Sequence, residues 1–180
     1  ISAQQYCLTA PVGYGSSATG GAGGTVVTVT SSSALMSALA KSGKYIILVD
    51  GTLTFNSLQS VKATDKTVIG LKGAKIYAPG QSSSASGAIY FKDGSKNIII
   101  RNLTFEGPGA YDCDGSDLLC FDGVTNAWVD HCDFQDGCDG NFDNKGNTDN
   151  ITVSWCRFRY LKAPKAGGSG GSDDHRYTNL

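Results

Sequence analysis

Asn126-Ala127-Trp128-Val129-Asp130-His131-Cys132-Asp133-Phe134 repeats the order of residue types of two other stretches. These are Asn97-Ile98-Ile99-Ile100-Arg101-Asn102-Leu103-Thr104-Phe105 upstream and Asn150-Ile151-Thr152-Val153-Ser154-Trp155-Cys156-Arg157-Phe158 downstream. Each copy opens on Asn, runs through mainly apolar residues and closes on Phe. The intervals between the opening Asn residues, 29 and 24, lie in the range of stacked supersecondary units. Lys66-Thr67-Val68-Ile69-Gly70-Leu71 reads as a partial earlier copy. Ahead of each full copy stands a second short strand closed by a Gly turn: Ala88 to Gly94, Leu118 to Gly123 and Asn141 to Gly146. At least two strands per unit, with no helical pattern between them, argue against a βαβ sheet and point to a parallel β-helix.

Equivalent positions on successive coils of such a solenoid lie about 4.8 Å apart. The alignment therefore predicts an internal aromatic column of Phe105, Phe134 and Phe158. It also predicts a corner column of Asn102, Cys132 and Cys156, and a turn marked by Asn97, Asn126 and Asn150. One strand spacing is short for the usual disulfide Cα separation of about 5.5 Å, so Cys132 and Cys156 are expected as stacked thiols or with partners elsewhere.

Working outward, Ser33 to Lys41 carries the one helical pattern, with Leu35, Ala38 and Leu39 on one face, Ser33 as N-cap and Gly43 as stop. Its apolar face suits a lid over the core. The Gly- and Ser-rich stretch from Gly13 to Gly24 reads as a loop. It is no phosphate cradle, because a strand, Thr25 to Val29, follows where a helix N-terminus would be needed. The domain organisation expected is one parallel β-helix over residues 1–180, with loop, strand and capping helix in 1–44 and coils in 45–180.

The chain's 180 residues suit one domain, and 24 Gly against 4 Pro point to many tight turns. A net charge of −1 gives no broad positive field for nucleic acid or an anionic membrane surface. No apolar run approaches the length of a membrane span. The charge is uneven, however. Ten of the 15 Asp fall between Asp112 and Asp149, where Lys145 is the only base, leaving that stretch at −9. Short carboxylates suit turns, and they also suit a hard cation. Six cysteines without a C-x-x-C pair disfavour zinc and lean toward an oxidising, extracellular setting. The first residues have neither a basic nor a long apolar region, so a secretion signal is expected to have been removed already.

The segment from Asn126 to Phe134, followed by Asp139-Gly140-Asn141-Phe142-Asp143-Asn144-Lys145 and Ile151-Thr152-Val153-Ser154-Trp155, resembles the family-1 polysaccharide lyases, the pectate lyases. The similarity extends upstream through Ile99-Ile100-Arg101-Asn102-Leu103, Lys66 to Leu71 and Ile46 to Gly51 to the Gly20-Gly21-Ala22-Gly23-Gly24 run. The resemblance implies a right-handed parallel β-helix and calcium-dependent β-elimination of polygalacturonate, the de-esterified form of pectin. Asp117, Asp139 and Asp143 would be the Ca2+ ligands. Gly115 stands where some members carry a further acid, which implies a weaker or water-completed site. Lys145 and Lys162, with Lys165 as the alternative to Lys162, match positions where the family sets basic groups against substrate carboxylates. Asp130 and His131 correspond to a structural pair in the family, so His131 is expected to be a hydrogen-bonded scaffold residue.

The family's proton-abstracting Arg lies in an Arg-x-Pro-x-x-Arg motif that this sequence does not contain, so the catalytic base stays unassigned. The reading that follows is a secreted lyase whose β-helix is continued by a further segment or a second polypeptide, with the 180-residue chain inactive alone. Two alternatives stay open: a non-catalytic pectin-binding or structural β-helix, and a pectin lyase or polygalacturonase-like enzyme. Pectin lyases do not need the three acids, and a hydrolase would need a close carboxylate pair.

Overall fold

Short β-branched and aromatic runs bounded by Gly, Asn or Asp favour strands over helix, and a computed structural model of the chain describes residues 10–179. An edge strand β1 (Thr25–Val29) and helix α1 (Ser32–Ala40) precede five coils. The coils are β2 (Tyr45–Val49), β3 (Thr52–Thr54), β4 (Gln59–Val61); β5 (Thr64–Gly70), β6 (Lys75–Tyr77), β7 (Ile89–Phe91); β8 (Lys96–Arg101), β9 (Thr104–Glu106), β10 (Leu119–Asp122); β11 (Thr125–Asp130), β12 (Asp133–Gln135), β13 (Gly140–Lys145); and β14 (Asp149–Ser154), β15 (Arg157–Arg159), β16 (Tyr177–Asn179). Each coil gives one strand to each of three parallel sheets. Sheet A runs β1-β2-β5-β8-β11-β14, sheet B β3-β6-β9-β12-β15 and sheet C β4-β7-β10-β13-β16. The chain is thus a right-handed parallel β-helix, with three strands per coil where the sequence required at least two.

The interior is a continuous stack. Phe105, Phe134 and Phe158 occupy one register position on β9, β12 and β15, and their rings stack at 4.6 and 5.1 Å with interplanar angles of 12° and 4°. Phe91, Phe121 and Phe142 form a second aromatic row under sheet C, edge to face at 5.4 and 5.0 Å. Leu35, Ala38 and Leu39 of α1 close the N-terminal end of this core against β1, β2 and β4. The N-cap of α1 is Ser31, not Ser33. Ser31 is extended, and its side chain accepts a hydrogen bond from the Ala34 N–H at 3.2 Å, whereas Ser33 already lies inside the first turn.

The corner column also differs from the expected one by a single residue. The register pairs Arg101 with Asp130 and Asp130 with Ser154, so the next position stacks Asn102, His131 and Trp155. All three are left-handed, with φ of 56, 52 and 52°. Leu103, Cys132 and Cys156 form the following column, facing inward. The strand period decides the outcome: a slip of one residue exchanges inside for outside. Cys132 and Cys156 are free thiols on neighbouring coils, as are Cys113, Cys120 and Cys138 among the described residues; Cys7 lies outside them.

Asn97, Asn126 and Asn150 sit within β8, β11 and β14, each at φ 57°, and Asp65 adopts the same angle one coil earlier. The left-handed kink turns Asn97 and Asn126 outward onto an N-terminal strap that crosses sheet A, while Asn150 bonds the neighbouring Asp149. Asn97 Oδ1 accepts from the Thr19 and Gly20 N–H groups at 2.7 and 2.8 Å, and the Ser17 hydroxyl bonds Asn126 at 3.0 Å. Thr152 accepts from the Gly15 N–H at 2.8 Å and donates to the Val12 carbonyl at 2.6 Å. The strap includes a 3-10 turn, Gly13–Ser17, in the stretch expected to be plain loop. Gly21 explains part of the glycine run: a Cβ there would stand 1.9 Å from the Tyr45 carbonyl oxygen.

Candidate functional site

The outer face of sheet C, at β10 and β13, is where the acidic stretch folds back on itself. Core residues Leu119, Phe121 and Phe142 point inward, so period-two alternation turns Cys120 and Asp122 of β10, and Asp143 and Lys145 of β13, outward. Asp117 enters β10 beside Gly140, fixed by the Leu118 N–H donating to the Gly140 carbonyl at 3.3 Å. Gly140 leaves the space that the carboxylates occupy. A Cβ on it would stand 2.5 Å from Asp117 Oδ1 and 3.5 Å from Asp143 Oδ1.

Asp117 is buried, with 7% of its surface exposed. Burial, then the neighbouring charges of Asp143 and Asp139, push its carboxyl up to about 7. Lys145 opposes the shift. Asp139 is turned toward the C-terminal segment, its Oδ1 2.8 Å from Nε2 of His175, whose Nδ1 lies 3.5 Å from Asp112. Tyr160 packs beside the same carboxylates. Burial and the charges of Asp117, Asp139 and Asp136 raise its phenol, and its hydroxyl donates to the Tyr177 carbonyl at 2.8 Å.

Among the described residues, no three His, Cys, Asp or Glu side chains lie close enough as they stand to share one metal ion. The donor set nevertheless fits a hard cation. Asp117 and Asp143 oxygens share the glycine cradle, burial and then the charges of Asp143 and Asp139 raise Asp117, and every donor is oxygen.

The three lysines singled out by the sequence separate in space. Lys145 stands two residues from Asp143 with its Nζ 5.4 Å from the Tyr90 ring centroid. Lys162 turns to the sheet B corner, where its Nζ donates to the Gly107 carbonyl at 2.6 Å and lies 3.3 Å from Glu106 and 3.9 Å from Asp136. Lys165 is exposed and lies over the Tyr111 ring at 4.1 Å. Motif spacing did not single out His175 or Tyr160, which reach the site through a long excursion between β15 and β16.

Asp130 and His131 belong to a different face. Asp130 is 1% exposed and accepts from Arg101 Nε at 2.9 Å and from the Ser154 hydroxyl at 2.6 Å, with His131 Nδ1 2.7 Å away. Burial alone would raise its carboxyl; the bonds from Ser154, His131 and Arg101 prevail and hold it below the ordinary range. Trp128 Nε1 donates to Ser154 at 2.8 Å, completing a network that ties coils together.

A family model described as pectate lyase matches residues 2–179. A pectate trisaccharide-lyase of Thermotoga sp. (strain RQ2) is 37% identical over 162 residues, covering 82% of this chain and 42% of the relative. The chain therefore spans less than half the length of that relative. A solved pectate lyase from Paenibacillus sp. 0602 superposes with a TM-score of 0.65 at 22% identity, covering 81% of this chain and 41% of the other. A pectate lyase from Bacillus sp. N165, solved in complex with trigalacturonate, gives 0.60 at 23% identity, with 85% and 56% covered.

Proposed function

The chain belongs to the pectate lyase family, and we propose that it forms the calcium- and substrate-binding part of a secreted enzyme that cleaves polygalacturonate by β-elimination, releasing unsaturated oligogalacturonides. The observation that carries this reading is the convergence of Asp117 and Asp143 oxygens over Gly140, with the Asp139 charge near enough to act on Asp117, whose carboxyl is pushed up to about 7 by burial first and then by these two charges. Carboxylates that destabilise one another this way favour a divalent cation. Asp117, Asp139 and Asp143 would hold calcium. When bound, it supplies neutralisation of the uronate carboxylate and of the charge that develops beside it as the C5 proton leaves.

The chain's own side chains do the rest of what is assigned. Asp117 and Asp143 converge above Gly140, which leaves the cradle open. His175 holds Asp139 at the rim. Lys145, exposed and lying over the Tyr90 ring, would meet a substrate carboxylate as a point charge. Lys162, already bonded to Gly107 and Glu106, is left out of this assignment. The base that removes the C5 proton is not among these residues. The trigalacturonate bound to the Bacillus sp. N165 relative supports an acidic oligouronide as ligand.

The test is the chemistry of the products. Incubation of the intact protein with polygalacturonate should generate chain ends that absorb in the ultraviolet through a C4–C5 double bond, and methyl-esterified pectin should be the poorer substrate. Reducing ends without that absorbance would indicate hydrolysis and overturn the reading. Binding of polygalacturonate with no product would leave a pectin-binding β-helix instead.

A further inference from the structure

The outer face of sheet C carries a second feature, away from the carboxylates. The registers pair Val61 with Phe91, Phe91 with Phe121 and Asp122 with Lys145, so Lys62, Lys92, Asp122 and Lys145 occupy one position on four successive coils. Val61, Phe91, Phe121 and Phe142 lie in the core, and the neighbours of the first three therefore face solvent. Lys62, Lys92 and Lys145 are exposed. Like charges directly opposite on adjacent strands repel, and Lys62 and Lys92 are such a pair. Lys62 lies over the next turn, its Nζ 2.5 Å from where a Cβ on Gly94 would be. Asp122, the one acid of the column, is tied to the Tyr90 hydroxyl, and the Tyr90 ring stands half-buried beneath Lys145.

We infer that Lys62, Lys92 and Lys145 form one binding track for successive carboxylates of an acidic oligouronide, leading from the carboxylate pocket toward the N-terminal coils. The inference rests on the function proposed above and adds which part of sheet C the polymer covers. A column of cations spaced by coils, with a half-buried aromatic ring beside it, suits a chain that bears one carboxylate on each sugar ring. The repulsion between Lys62 and Lys92 is relieved when an anion lies across them. Lys145, nearest the acids, joins the track to the pocket. The two N-terminal lysines would be engaged only by oligomers long enough to reach them.

The experiment measures dissociation constants of galacturonate trimer and hexamer by titration calorimetry, with calcium present, for the intact wild-type protein and for Lys62→Gln/Lys92→Gln. Both positions are exposed, so the double variant should fold as wild type, and its melting temperature checks this. The track predicts that the variant binds hexamer about 3- to 10-fold more weakly, by the scale of two exposed charge contacts. It also predicts unchanged affinity for the trimer and for calcium, and a weaker salt dependence of hexamer binding. Hexamer affinity equal to wild type, or an equal loss for trimer and hexamer, overturns the track while leaving the proposed function standing. Wild-type protein that binds neither oligomer overturns both.

Discussion

At the scale of single residues, Asp117 governs the acid-base behaviour of the site. Its carboxyl in the folded chain, at about 7, lies above its ordinary value of 3.8. A raised carboxyl makes the folded state hold its proton more tightly than the unfolded one. Without a cation, the contribution of Asp117 to stability therefore falls as pH climbs from about 4 to about 7 and is level above that. A cation competes with the same proton, so calcium should bind more tightly at pH 8 than at pH 5 in calorimetric titrations. Asp117→Asn, which has no proton to displace, should flatten that dependence. Asp143→Asn removes a formal charge from a hard-ion site and should weaken calcium binding, about tenfold or more by the loss of one carboxylate oxygen. Equal affinity in wild type and Asp143→Asn would remove Asp143 from the ligand set. The three Asp residues were legible in the sequence only through a family resemblance, because ten acids crowd one stretch and turns favour Asp for reasons of their own. Nothing local marked His175, which reaches Asp139 across 36 residues of chain.

At the scale of elements, the period of the strands made the coils readable. A Phe at the same place in three copies predicted the column that Phe105, Phe134 and Phe158 form. Phe134, fully buried and stacked on both sides, should cost about 3–5 kcal/mol when changed to Ala, read as a shift in the urea midpoint. Phe158, only partly buried, should cost less. The Asn of each copy was legible as a position but not as a role. A left-handed kink inside a strand leaves no mark in hydrophobic pattern, and the strap it holds lies 77 residues away along the chain. Asn97→Ala loses a residue suited to φ 57° and the acceptor of two N–H groups, a cost of about 2 kcal/mol in the same measurement. The corner column expected of Asn102, Cys132 and Cys156 mixed two neighbouring positions of the three copies: counted from Asn to Phe, Asn102 stands with His131 and Trp155, as the register has it, and Leu103 with Cys132 and Cys156.

At the scale of the whole molecule, a solenoid transmits a ligand's binding energy mainly between neighbouring coils. A cation held by Asp117, Asp139 and Asp143 would join the coil that contains β10 to the one that contains β13, and it should stabilise the protein by mass action. Calcium at 100 times its dissociation constant should add about 2.7 kcal/mol, seen as a rise in melting temperature that a chelator reverses. The polar strap from Val12 to Gly21 and the helix lid on the first coil hold the same stack from outside and from its end. Cation-dependent elimination is tested most directly by the initial rate of unsaturated product formation from polygalacturonate by the intact protein. It should be measured in calcium, after chelation, and after calcium is restored. The rate should vanish on chelation and return with calcium; elimination that proceeds undiminished in the chelator would mean that no divalent cation takes part.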